Sequence, residues 1–294
     1  MIFAAYLSVH CLTSYQKASV KLLVGSLIFF GACMPQTKSA VEQSEQLVIL
    51  ADTTLGMIRQ TFVRRGLNGC FILRDISKDT SLVYNPDRAK QPFLPASTFK
   101  IANSLIALEC KAVKGINEVI AWDGEERFVA AWNTDHTMRT AIRYSVVWYY
   151  QELARRIGET QMDHWVQKLK YGNQTIGPNV DDFWLVGDLR ITAEQQVGFL
   201  ERLIRNDLAA KQKNIDLVKE ILVEESNERY TLCGKTGWAD FGTPVGWYVG
   251  WLDLGANSYI FVLNMDIAEP GEQIYRKEIT KEILNELFQI DLGI

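Results

Sequence analysis

The chain has 294 residues, 48% of them hydrophobic and 22% charged, so it is neither disordered nor collagen-like as a whole and can bury a substantial core. At this length it holds one large domain or about two. Its 31 basic and 35 acidic residues give a formal charge of −4. No nucleic-acid partner is therefore expected, since the basic footprint such binding needs is missing, and an anionic membrane surface is a poor partner too.

The N-terminus reads as an address. Lys17 and Lys21 precede the apolar run Leu22–Phe30, and Gly31-Ala32-Cys33 follows it. A basic region, a short apolar core and small residues make a secretory signal, and the run is too short for the roughly 20 residues that span a bilayer. Residues 1–32 are read as a leader, Cys33 as a candidate lipid anchor resembling a bacterial lipoprotein box, and 33–46 as a polar tether. The expected location is outside the cytoplasm, in the periplasm. Export brings no disulfide framework: beyond the leader only Cys70, Cys110 and Cys233 remain, an odd number far apart, read as three buried thiols. No Cys or His spacing suits zinc, so no metal is expected. His10, His136 and His164 sit near no GxSxG, and no phosphate-binding glycine motif is present.

The mature chain is expected to run over 47–294. Phe71–Asp75 and Ser81–Tyr84 are β-prone runs around a turn-rich tetrapeptide, hence a hairpin. Pro95 opens a helix that continues through Ile101, Ala102, Leu105, Ile106 and Leu108 at helical period. Trp148–Ile157 and Met162–Leu169 are helical in pattern, and Thr192-Ala-Glu-Gln195 forms a capping box ahead of Val197, Leu200, Leu203 and Ile204. Gly246–Leu252 and Tyr259–Leu263 read as two strands of an antiparallel hairpin, followed by a C-terminal helix carrying Ile279, Ile283, Leu287 and Phe288. Strands at both ends with helices between them imply an α+β fold. Its antiparallel sheet is built from both termini, about 47–90 and 228–294, with a helical region inserted over about 91–227.

Reactive chemistry begins at Ser97-Thr98-Phe99-Lys100, an S-x-x-K tetrad at the start of the first helix. Residues three apart on a helix share a face, so the hydroxyl and the amine can meet. An uncharged lysine beside a serine can take its proton and make it a nucleophile. That requires desolvation, because a free lysine titrates near 10.4. Backbone N–H groups at the helix start can receive a developing oxyanion. The tetrad alone is weak, since about one is expected by chance at this length, and Ser14-Tyr-Gln-Lys17 in the leader matches as well. Lys235-Thr236-Gly237 is far rarer, at about 0.1 chance occurrences. It is read as leading into the Gly246–Trp251 strand, where alternate residues point the same way, with a loop entering an edge strand as the other reading. Thr236 and the Trp238 backbone would face a ligand, Lys235 would add charge, and Gly237 would let the ligand come close. Ser145-Val146-Val147 and Tyr171-Gly172-Asn173 lie between these two motifs.

With these four motifs in this order, the sequence resembles the class D β-lactamases, the oxacillinases. The S-x-x-K and K-T-G elements are common to serine β-lactamases and penicillin-binding proteins. Ser145-Val-Val147 and Tyr171-Gly-Asn173 are the class D forms of the others. The similarity runs from about residue 45 to the C-terminus and includes Phe183-Trp184-Leu185 and Asn264-Met-Asp266. The resemblance implies the β-lactamase/transpeptidase-like fold and β-lactam substrates, and with them antibiotic resistance. Ser97 would be the nucleophile, Lys100 a general base carboxylated by CO₂ or bicarbonate with no other cofactor, and Ser145 with Lys235 the proton shuttle. The N–H groups of Ser97 and Trp238 would form the oxyanion hole. Trp184 would donate to the carbamate, and Val147 and Leu185 would limit water around it. Arg276 with Thr236 would hold the substrate carboxylate, and Gly237, Trp238, Tyr171 and Asn173 would also serve substrate binding. The stretch Trp238–Val245 edges the pocket in the family. Antibiotic sensors and cell-wall transpeptidases share the fold and acylate without fast turnover; they follow multi-span segments or carry extra domains, so hydrolysis is the expected outcome. The assembly is expected to be a monomer or a homodimer.

Overall fold

The computed structural model describes residues 40–293, with side chains from 52 onward, and the compact unit is Ser44–Ile294. The leader and Cys33 lie outside the described residues. Helix α1 (Ala40–Val63) begins inside the stretch read as a tether. Among the described residues, no helix is long and apolar enough to cross a membrane.

Six strands form one antiparallel sheet: β1 (Gly69–Asp75), β2 (Thr80–Tyr84), β3 (Val223–Ser226), β4 (Tyr230–Ala239), β5 (Val245–Leu254) and β6 (Asn257–Asp266), in the order β2-β1-β6-β5-β4-β3. The N-terminal hairpin joins the C-terminal strands at β1–β6, where Cys70 faces Asn264 and Phe71 faces Leu263. The sheet is thus closed by both ends of the chain, as its sequence implied. The remaining helices are α2 (Pro86–Ala89), α3 (Lys100–Glu109), α4 (Met138–Arg143), α5 (Val147–Ile157), α6 (Glu159–Lys168), α7 (Ala193–Ile204), α8 (Gln212–Ile221) and α9 (Tyr275–Phe288). Thr192 and Gln195 form the expected reciprocal cap of α7.

Both faces of the sheet are covered. On β5, Trp247, Val249 and Trp251 pack into the core shared with α3 and α5 through α8, whereas Tyr248 and Leu252 pack with Ile58 and Phe62 of α1 and Ile279 and Ile283 of α9. Burial on both sides explains why Gly246–Leu252 is apolar without alternation. Cys70 and Cys233 are buried and Cys110 is half-buried, all three as free thiols.

Three local expectations are corrected. Pro95 does not start the α-helix; it caps a 3₁₀ turn, Ala96–Phe99, from which α3 continues. Lys235-Thr236-Gly237 does not run on into the Gly246 strand but is the middle of its own ten-residue strand β4, paired with β5 from Tyr230↔Leu254 to Ala239↔Val245. Strand β3 falls inside the stretch assigned to helices, and helix α8 is not among the predicted elements although Ile215, Val218 and Ile221 recur on its buried face at helical spacing.

Candidate active site

The 3₁₀ turn puts Ser97 and Lys100 together more directly than an α-helix would, because at three residues per turn positions i and i+3 eclipse. Lys100 Nζ lies 2.9 Å from Ser97 Oγ, and the turn is entered through Ala96 at φ +47, a left-handed conformation rare outside glycine. Ser145, at φ +55 just before α5, is held in the same conformation. That turn presents both its oxygens to the amine: Lys100 Nζ donates to Ser145 O at 2.7 Å and to Ser145 Oγ at 3.0 Å. Unusual backbone of this kind concentrates at functional sites.

Lys100 is fully buried. Burial pushes its ammonium well below the usual lysine range, and the charge of Lys235 adds to the effect. No carboxylate pairs with it among the described residues; Tyr150 turns its ring face toward it, 5.5 Å away. Tyr150 has no counterpart in the motif reading, yet it lies three residues after Val147 on α5, so helical spacing already put it on the face that Ser145-Val-Val147 presents.

Lys235 is 4% exposed and donates to Thr236 O at 2.8 Å. Burial lowers it to about 7; Glu224 pulls it back up, while Arg276 and Lys277 push it further down. Strand β3 covers the outer edge of β4 only as far as Cys233, and Gly234 N donates to Leu222 O across that edge. By the period of two, the N–H groups of Thr236 and Trp238 point the same way, onto the uncovered edge from Lys235 onward. The Trp238 ring is exposed beside it.

Gly237 serves a different purpose from the one expected. An added Cβ would meet Pro95 O at 3.0 Å and Thr98 Cγ2 at 3.1 Å, so what approaches its backbone closely is the Ser97 turn rather than a ligand. Arg276, in the first turn of α9, donates to Gly237 O at 2.6 Å and to Gln273 O at 2.5 Å. Its stem crosses Gly246, whose missing Cβ leaves room for it. Burial lowers its guanidinium to about 10, and no described carboxylate pairs with it.

Trp184 is fully buried and stacks on Phe99, with ring centroids 5.4 Å apart. Its carbonyl accepts from Ala96 N at 3.0 Å, which ties its loop to the nucleophile turn. Its indole N–H has no partner among the described residues, an uncommon state for a buried donor. Val147 and Leu185 are half-buried.

Tyr171 does not line the open edge, and the expectation that it contacts substrate is corrected. Tyr171 is fully buried, edge-on to Phe99 and Phe199. Asn173 accepts from Arg190 N at 3.0 Å and donates to Asp188 O at 2.9 Å. Gly172, at φ +55, lies so close to Arg190 O that a side chain would strike it. The triplet therefore anchors residues 188–190, while Tyr171 packs on Phe99 of the nucleophile turn.

A buried amine wedged between two serine hydroxyls, beside an open strand edge, defines a serine acyl-transfer enzyme. Residues 69–288 match the family described as the penicillin-binding protein transpeptidase domain. The chain is 42% identical over 226 residues to the β-lactamase OXA-48 of Klebsiella pneumoniae, covering 76% of this chain and 85% of that one. It is 43% identical over 217 residues to the probable β-lactamase YbxI of Bacillus subtilis, covering 74% and 80%. The crystal structure of FUS-1 (OXA-85), a class D β-lactamase of Fusobacterium nucleatum, superposes with a TM-score of 0.78 at 40% identity, covering 80% of this chain and 99% of that one. The chain belongs to the class D β-lactamases, serine hydrolases that act on β-lactams.

Proposed function

We propose that this enzyme opens the β-lactam ring through an acyl-enzyme on Ser97 and that Lys100 works as a carboxylated general base. The observation that carries the proposal is the fully buried Lys100 Nζ, 2.9 Å from Ser97 Oγ and 3.0 Å from Ser145 Oγ, with no anionic partner among the described residues. A neutral amine can add to CO₂, forming an N–C bond and releasing one N–H proton, and the resulting group supplies a base for Ser97 and later for water. The orphaned Trp184 N–H fits such an anion, since indole is a donor only. Val147 and Leu185 give that pocket apolar walls, which favour retention of the group by keeping water scarce.

Ser97 Oγ attacks the lactam carbonyl carbon, and the ring C–N bond breaks as the acyl ester forms. Ser145 Oγ relays the proton to the departing lactam nitrogen, with Lys235 adjacent. The N–H groups of Ser97 and Trp238 receive the developing oxyanion. The substrate carboxylate rests on Thr236 and Arg276, whose guanidinium has no acidic partner among the described residues and is suited to planar recognition. Activity outside the cytoplasm and a contribution to β-lactam resistance follow from the leader and Cys33 pattern together with this chemistry.

The test is intact mass after a penicillin pulse, together with ¹³C-bicarbonate NMR of the full enzyme. A transient acyl adduct absent from Ser97→Ala, and a carbamate resonance lost from Trp184→Phe, are expected. A persistent adduct on Ser97→Ala would refute the nucleophile, and failure of bicarbonate to produce any resonance would refute the base.

A further inference from the structure

Beyond Lys235, the open edge of β4 runs into a cleft of about 620 Å³ between α4, the end of α8, β3 and the start of α9. It shares Lys235 and Thr236 with the site above but does not include Ser97. Four cations line it, Arg139, Arg143, Lys235 and Lys277, against two carboxylates, Glu220 and Glu224. Both carboxylates are already engaged. Arg139 pairs with Glu220, and Lys277 donates to Glu224 at 2.5 Å, where Tyr248 Oη also donates at 3.1 Å. Glu224 reaches that position because it lies at a register shift between Val223 and Glu225, the kind of bulge that re-aims a side chain.

Two cations remain without a carboxylate among the described residues. Lys235 is buried and donates only to Thr236; Arg143 is exposed on the cleft wall with no ion pair. Burial lowers Lys235 to about 7, so Arg143 is the cleft's dependable surplus positive charge, and in a chain whose net charge is −4 it draws in an anion.

We propose that this cleft is an anion-accepting subsite for the part of the substrate next to its carboxylate-bearing ring carbon, with Arg143 as the specificity-determining residue. This rests on the β-lactamase reading, which also fixes the direction. The lactam carbonyl lies at the Trp238 N–H and the carboxylate at Thr236 and Arg276, so the molecule runs down the β4 edge toward Lys235. A substituent on the ring carbon beside the carboxylate-bearing one then extends past Lys235 into the cleft. Ile142, Tyr144 and Leu222 give that substituent apolar walls, and the surplus charge selects for one that ends in a carboxylate or sulfonate.

The test uses two cephalosporins identical except at ring position 3, one bearing a neutral group and the other a carboxylate of similar size. The readout is the ratio of their kcat/KM values, which cancels any general loss of folded enzyme. At low salt the wild type should favour the anionic compound by about threefold, as for a partly exposed charge pair, and 0.5 M NaCl should bring the ratio close to one. Arg143→Lys should keep the preference, and Arg143→Glu should reverse it. Equal hydrolysis of the pair by the wild type at low salt, or a preference that survives Arg143→Glu, overturns the subsite while leaving the β-lactamase reading standing. Failure to hydrolyse either compound while penicillin is still turned over overturns the subsite alone, and failure on penicillin as well overturns both.

Discussion

Replacing Lys235 by methionine should stabilise this fold at neutral pH while lowering β-lactam turnover. Lys235 is 4% exposed and its folded pKa lies at about 7, against 10.5 for the free side chain. Between those values the unfolded chain binds a proton that the folded chain does not, so wild-type stability rises with pH across that window, at up to about 1.4 kcal/mol per pH unit. Below pH 7 both states are protonated and the destabilisation is complete. At pH 7 this group therefore costs about 4 kcal/mol relative to strongly alkaline solution. Methionine fills a similar volume and removes the charge, at the loss of one hydrogen bond to Thr236 O worth about 1 kcal/mol. The net gain is about 3 kcal/mol at pH 7, or roughly 10 °C in Tm for a domain of this size. By pH 9.5 the wild type has recovered about 3 kcal/mol of its deficit, and the advantage of the variant should vanish. Urea unfolding of both proteins at pH 7 and 9.5 measures this double difference. A gain that is the same at both pH values, or a variant less stable than wild type at pH 7, would refute the reasoning.

Gly237→Ala should push the Ser97 turn away, because the new methyl meets Pro95 O and Thr98 Cγ2; at least a tenfold loss of kcat/KM is expected, since displacements on the order of 1 Å can be that damaging. Turnover at the wild-type level would show that the turn yields without consequence. At position 145, glycine should be more stable than alanine by about 1 kcal/mol, because φ is +55 there, and both should turn over poorly; equal melting temperatures would remove the strain argument. Asn173→Ala should speed proteolytic cleavage within residues 174–190 by releasing Asp188 and Arg190, and an unchanged cleavage rate would show that the loop is held by other contacts. Thr192→Ala removes the α7 cap and should lower stability by about 1 kcal/mol without altering the pH profile of turnover.

Features with a short-range physical cause were legible in the sequence. The spacing of Ser97 and Lys100, the Thr192–Gln195 cap and the helical period after Ile101 each reflect local geometry. The closure of the sheet by both termini followed from the order of elements. Tyr171 was misplaced because a motif's spacing says which residues travel together, not which of them face solvent; here it became core, while Asn173 staples its loop to Arg190.

Other features depend on what a distant segment brings. Lys235 is ordinary in a free strand; it acquires its depressed pKa only because burial on β4 removes water and α9 sets Arg276 and Lys277 nearby. Gly237 reads as room for a ligand until the turn carrying Ser97 folds against it. Residue types and local spacing settled which groups could react, because those are properties of a few adjacent bonds. Burial, unpaired charge and the uncovered edge of β4 belong to the tertiary structure, because dielectric surroundings and Coulomb partners come from segments far apart along the chain.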